Sequence, residues 1–276
     1  MTFTLALALH LLLLSTCIVC GLMFVLWVIS LVTRNAGIVD AGWAFGLVLL
    51  AGVAMVHAPL SANTGRSDAL IAMVTLWGVR LALHIVLRME AGPEDARYVQ
   101  LRREWKTWIP LKFLAFFEFQ AVLDLILSLG FFAVALDPSA NFSPLCYVGM
   151  AIWLIAFLGE TVADVQLSRF KRFTANKGKV CRVGLWKYSR HPNYFFEWLV
   201  WVAWAVYALP SPGGFVGLIG PALMLYFLFR VTGIPATEEQ ALRSRGDAYR
   251  EYQETTNAFV PWFPKKSQDE LRSMPL

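Results

Sequence analysis

The sequence predicts an all-α integral membrane protein, a seven-helix transmembrane bundle with its N-terminus outside and its C-terminus in the cytoplasm. Three observations predict it. Of 276 residues 58% are hydrophobic, 11 are Trp and the mean hydropathy is +0.56, more apolar material than a soluble domain carries. The apolar residues fall into windows of about 20, the length that crosses a bilayer as a helix. Lys and Arg gather in alternate connections, as they do where short loops stay in the cytoplasm.

The first span, 5–33, opens on MTFTLALALHLL with no basic stretch and no small-residue cleavage signal, and so reads as an uncleaved helix and not a signal peptide. Its Cys17 and Cys20 form a CxxC inside an apolar helix with no further Cys or His at ligand spacing, which is core packing. Spans 38–58 and 68–89 follow, and then a segment, 92–110, whose Tyr98, Leu101 and Trp105 share one face, as in a helix lying at the headgroup level. Spans 111–135 and 145–168 precede a sixth, 192–210, that starts on Pro192, suited to a first helical turn where its missing N–H costs nothing. The seventh is 212–232, after which 237–252 is again amphipathic and PWFP at 261–264 ends it.

The basic residues set the orientation. Arg34 follows span one; Arg88, Arg97, Arg102, Arg103, Lys106 and Lys112 follow span three; Arg169, Lys171, Arg172, Lys177, Lys179, Arg182, Lys187 and Arg190 follow span five. Arg243, Arg245, Arg250, Lys265 and Lys266 lie in the tail, whereas the opposite loops hold only Arg66. An odd number of spans satisfies every loop. The net charge of +5 is thereby a property of the cytoplasmic face and not a signal for nucleic acid. Cys146 and Cys181 fall on opposite sides of the membrane and cannot pair, and no metal site is expected. With no repeat and no long linker, residues 1–276 read as one membrane domain with no obligate protein partner.

Six carboxylates, Asp40, Glu118, Asp124, Glu160, Asp164 and Glu197, sit within or at the edges of these spans. An ionised side chain at bilayer depth costs several kcal/mol unless it faces a cavity or a partner, so the set points to a polar interior; each alone could equally be a pair knitting helices together. Glu160 and Asp164 are four apart near the end of span five, with Arg169, Lys171 and Arg172 beyond them. Asn193 and Glu197 are likewise four apart on one face of span six, one turn beyond Arg190 and His191. Carboxylates and amides suit ribose hydroxyls and a carboxamide, and the basic cluster with the helix N-terminus suits phosphates. In span three, Trp77, Arg80 and His84 line one face. Trp43, Glu118 and Gln120 are candidates to line a lipid chamber or to hold helices together.

The segments GLWKYSRHPNYFFEW, ETVADVQLSRFKR, WGVRLALHIVLR, EDARYVQLRREW and GDAYREY resemble the bacterial branch of the steroid 5α-reductase family. The likeness is clearest over residues 145–262 and extends to 39–105; the RHPNY core is shared in a related form by isoprenylcysteine carboxyl methyltransferases. The resemblance implies an enzyme of the bacterial inner membrane that binds NADPH from the cytoplasmic side and reduces the C=C bond of an apolar enone, a 3-oxo-Δ4 steroid or similar lipid. Residues 1–144 would supply the substrate-facing helices and 145–262 the cofactor region. By position, Asp164, Lys171, Asn193 and Glu197 match the family's cofactor stretch, with Glu160, Arg190, His191 and Arg80 as neighbours and Tyr249 and Tyr252 closing the pocket.

The chemistry needs a hydride donor at the β-carbon and a donor at the carbonyl to stabilise the developing enolate. Relatives that reduce steroids use a glutamate and a tyrosine from the early spans; here those positions read as Asp40 and Trp77, with Glu197 and Asn193 orienting the nicotinamide. The competing enzymatic reading is methyl transfer from S-adenosylmethionine to a lipid or prenylated substrate, given the RHPxY turn and the tail glutamates Glu238 and Glu239. A transport path is the non-enzymatic alternative, but no inverted repeat or broken-helix pair supports it.

Overall fold

Backbone polar groups find no water in lipid, so long apolar runs satisfy them internally as helices. In the computed structural model, which describes residues 2–57, 65–90, 92–139, 141–231 and 233–265, every regular element is helical. In chain order these are α1 (Thr2–Thr33), α2 (Ile38–Val56), α3 (Gly65–Glu90), α4 (Ala96–Trp105), α5 (Ile109–Leu127), α6 (Leu129–Ala135), α7 (Pro144–Arg172), α8 (Pro192–Ala208), α9 (Ile219–Tyr226), α10 (Ile234–Arg245) and α11 (Asp247–Thr255).

Six stretches among the described residues are long and apolar enough to cross a membrane: Leu9–Thr33, Ile38–Val56, Gly65–Glu90, Ile109–Ala135, Pro144–Arg172 and Gly214–Arg245. The expected span 192–210 corresponds to α8, whose 17 residues rise about 25 Å, less than the ~30 Å hydrocarbon core. The expected span 212–232 is not a uniform helix. It runs through a 3₁₀ turn (Gly214–Leu218), α9 and a π turn (Phe227–Val231). The amphipathic tail is two helices, because Gly246 takes φ +54° between α10 and α11, a conformation disfavoured for residues with a Cβ. Positions 58 and 232, the ends of two expected spans, lie outside the described residues.

The chain divides into two compact units, Met1–Cys146 with Ala208–Ile219, and Tyr147–Tyr207 with Gly220–Leu276. In the first, α2 packs against α1, α3 and α5. Small residues permit this: a Cβ on Gly78 would lie 2.9 Å from the Ala44 carbonyl, so α3 approaches the α2 backbone directly. Val19, Met23, Val39, Phe113 and Phe117 form the core there, and α4 adds Tyr98 with Leu101 and Trp105 at its edge, the face its sequence marked as apolar. At the end of this unit where α3 begins, Arg66 is 2% exposed and donates to Asp137 Oδ2 at 2.7 Å and to Ser211 Oγ at 2.5 Å. That ion pair ties the start of α3 to the connections after α6 and after α8.

In the second unit α7 and α8 meet through small residues on α7. A Cβ at Gly149 would lie 2.9 Å from the Ala203 carbonyl, and the Phe196 ring lies against Gly159. The loop between them folds back on α7: Leu185 N–H donates to Gln166 Oε1 and Trp186 Nε1 to the Ala163 carbonyl, both at 2.9 Å.

Candidate functional site

In the second unit four of the expected cofactor residues, Glu160 and Asp164 on α7 and Asn193 and Glu197 on α8, lie on two facing helices. Glu160 and Asp164 on α7 are 3% and 8% exposed, and Glu197 on α8 is 9% exposed. Asn193 Nδ2 donates to Asp164 Oδ1 at 3.4 Å, and Trp201 Nε1 donates to Glu197 Oε1 at 3.2 Å, one turn further along α8. Four-residue spacing on each helix is what places both pairs on inward faces.

Two turns beyond Asp164 along α7, about 10 Å by helical rise, Lys171 lines a concavity of about 340 Å³. Lys177, Lys179 and Arg245 complete its basic wall, with Phe170, Phe173 and Cys181 among the other lining residues. Burial pushes the Cys181 thiol up even though Lys171 and Arg245 pull the other way, so it lines the cavity as a neutral, weakly nucleophilic group. Four cations around a concavity have the charge to attract an anion.

Arg190 and His191 turn away from that face toward the tail. Arg190 Nε donates to Glu238 Oε1 at 2.7 Å, and its Nη1 donates to the carbonyls of Gln253 at 2.9 Å and Thr256 at 2.5 Å. His191 Nε2 lies 3.2 Å from the same Glu238 oxygen, and Gln253 Nε2 donates to Oε2 at 2.8 Å. The RHP turn is thus held from α10 and α11 by one carboxylate. Ser189 Oγ donates to the Phe259 carbonyl at 2.7 Å, and the Tyr252 hydroxyl donates to the carbonyls of Trp186 and Ser189, stitching the same turn to the tail. Tyr249 is buried beside this cluster; burial, reinforced by the Glu238 charge, pushes its phenol up to about 12, so it stays protonated at neutral pH. The sequence marked Glu238 only for methyl transfer, and nothing in spacing showed that Arg190 and His191 would share it.

The remaining expected residues lie in the first unit. Asp40, in the first turn of α2, accepts from Arg97 Nη2 at 2.7 Å and from the Tyr98 hydroxyl at 2.6 Å, both on α4. In this arrangement Asp40 is an acceptor on both oxygens, which makes it a latch for α4. Burial, then the Asp40 charge, pushes the Tyr98 phenol well up, so it remains the donor. Replacing Tyr98 with Phe removes a bond to a charged group and is expected to lower stability by about 1.5 to 3 kcal/mol; an unchanged thermal midpoint in detergent would show that the hydroxyl carries no such load. Trp77 is fully buried and meets Trp43 edge-on, ring centroids 5.9 Å apart. Arg80 and His84 are half-buried on the same helix as Trp77, and Glu118 and Gln120 are half-buried on α5, where Glu118 neighbours Cys20. Asp124, which sequence reasoning left without a role, is fully buried; neither oxygen has a hydrogen-bond partner among the described residues, and Oδ2 fills the space that a Cβ on Gly46 would need. Among the described residues no group of three or more His, Cys, Asp or Glu gathers as a metal site.

An uncharacterized protein of Schizosaccharomyces pombe is 26% identical over 268 aligned residues, covering 86% of this chain and 76% of the relative. No solved structure matches. A family model described as "Protein of unknown function (DUF1295)" matches residues 26–256, most of the chain, and the protein belongs to that family.

Proposed function

We propose that this chain is a multi-pass membrane reductase that uses NADPH to reduce the C=C bond of an apolar enone, a 3-oxo-Δ4 steroid or similar lipid, as a member of the steroid 5α-reductase family. With α8 counted as a short seventh span, the N-terminus lies outside and the basic loops in the cytoplasm, in the bacterial inner membrane.

The observation that carries the reading is the arrangement along α7. Buried Asp164, bonded to Asn193 at 3.4 Å, stands about 10 Å from the four-cation concavity that Lys171 lines. A ligand with an amide and ribose hydroxyls at one end and phosphates at the other fits that donor set. NADPH would supply the hydride for the β-carbon. Asp164, Asn193 and Glu197 would hold hydroxyls and carboxamide, and the lysines would take the phosphates. At the substrate end a donor must meet the carbonyl as charge develops there. Asp40 accepts on both oxygens, so its role is to orient the Arg97 guanidinium, which has further N–H groups to give, and Trp77 of α3 is the second residue assigned to this end.

A specific observation favours methyl transfer as the second reading, since the RHP turn and Glu238 meet at 2.7 Å. Calorimetric titration of the detergent-purified chain with NADPH, NADH and S-adenosylmethionine separates the two. The reductase reading expects NADPH to bind far more tightly than NADH, and binding of S-adenosylmethionine alone would overturn it. Asn193→Ala is expected to weaken NADPH by about tenfold, one charged-group hydrogen bond, whereas Asp40→Ala spares NADPH and abolishes turnover. Wild-type affinity and turnover in both variants would remove this assignment.

A further inference from the structure

We propose that His10 and His57 form a site for one imidazole-preferring transition-metal dication, of the Zn²⁺ or Cu²⁺ class, bridging the start of α1 to the end of α2. Their ring centroids are 5.8 Å apart and the planes are inclined at 57°. Two imidazoles on one ion, with metal–nitrogen bonds of about 2.0 Å and an angle at or above tetrahedral, hold their centroids about 5 to 6 Å apart. The observed 5.8 Å falls within that range.

The second observation fixes the tautomer. His57 Nδ1 lies 3.0 Å from the Val53 carbonyl. A carbonyl only accepts, so Nδ1 carries a proton, and in the neutral ring Nε2 keeps its lone pair. A backbone carbonyl behind the distal ring nitrogen is the usual support of a metal-binding histidine, because it sets ring orientation and raises ligand basicity. His57 is the residue that closes α2, and the turn itself supplies this carbonyl four residues back. His10 is exposed and His57 half-buried, and both stand at the ends of their apolar stretches, Leu9–Thr33 and Ile38–Val56, the level at which water can complete an ion's ligands. No third protein ligand joins them among the described residues, which predicts an exchangeable site and not a structural one. Imidazole pairs select Zn²⁺ and Cu²⁺ over hard cations such as Mg²⁺.

The site shares no residue with the proposed cofactor site and does not depend on the reductase reading. The test uses the full chain, purified without a polyhistidine tag, titrated calorimetrically with Zn²⁺ and with Mg²⁺ and examined by electron paramagnetic resonance with Cu²⁺. The expected result is one Zn²⁺ per chain, no heat from Mg²⁺, and a Cu²⁺ spectrum with two imidazole nitrogens. His10→Gln and His57→Gln, each tolerated where one ring is exposed and the other half-buried, should each lose more than about tenfold in Zn²⁺ affinity, since even outer partners of metal ligands act on that scale. Retention of wild-type Zn²⁺ binding by the double variant, or no Zn²⁺ binding by a wild-type chain whose circular dichroism is helical, overturns the proposal.

Discussion

Replacing Arg66 with methionine is expected to cost about 3 to 5 kcal/mol, the largest effect foreseen for any single side chain here. Arg66 and Asp137 are almost wholly withdrawn from solvent, with side chains 2% and 3% exposed and 2.7 Å between them. Removing the guanidinium leaves a buried carboxylate without its partner, and the connections after α6 and α8 lose the tie through Ser211. Thermal unfolding in detergent measures it. The double variant Arg66→Met, Asp137→Leu should recover most of the loss, because a matched apolar pair avoids the desolvation cost that made the single change severe. A double variant no more stable than the single one would show that the charges are not the source.

The same pair predicts an acid limit. Burial alone would raise the Asp137 carboxyl, but the Ser139 backbone N–H and hydroxyl and the Arg66 guanidinium outweigh it and hold it below the usual carboxylate range. A depressed folded-state value means stability that is fully present above the ordinary carboxylate value of about 3.9 and that is lost as pH falls below it. The double variant should show less of this acid-dependent loss than the wild-type chain.

Glu238→Ala is the second large effect, about 3 kcal/mol. Glu238 is 14% exposed, faces Arg190 at 10% exposure, and also takes His191 and Gln253. Its removal leaves Arg190 with two backbone carbonyls but no countercharge, and loosens α10 and α11 from the RHP turn. Limited proteolysis of the tail should accelerate along with the drop in thermal midpoint. The variant also bears on function. If Glu238 only anchors Arg190 and His191, NADPH affinity survives at temperatures where the chain is still folded. Loss of S-adenosylmethionine binding with no effect on NADPH would instead place Glu238 in a methyl-transfer site.

How much of this was legible beforehand depends on the range of the interaction. The apolar face of α4 follows from spacing alone: Tyr98, Leu101 and Trp105 recur at helical intervals, and they are the residues packed on the first unit's core. That Glu160 and Asp164 share one face of α7, and Asn193 and Glu197 one face of α8, is similarly visible, because residues four apart share a face in any helix. Span lengths were less secure. Hydropathy windows see composition, and the apolar run from Gly214 onward carries no composition mark for the π turn at Phe227–Val231, beside which Gly233 lies so close that a Cβ would meet the Leu228 carbonyl.

What the sequence by itself determined is the helical, membrane-embedded class, the amphipathic connections and the candidate residues on each helix, since all of these rest on local periodicity and on the cost of polar groups in lipid. Only the tertiary structure decided which partners those residues took: Tyr98 and Arg97 for Asp40, Asp137 for Arg66, Glu238 for Arg190 and His191, and Asn193 for Asp164. These pairs join positions 29 to 71 residues apart. Charge attraction acts through space with no preference for sequence separation, so helix packing alone settles which of several acids and bases come within reach.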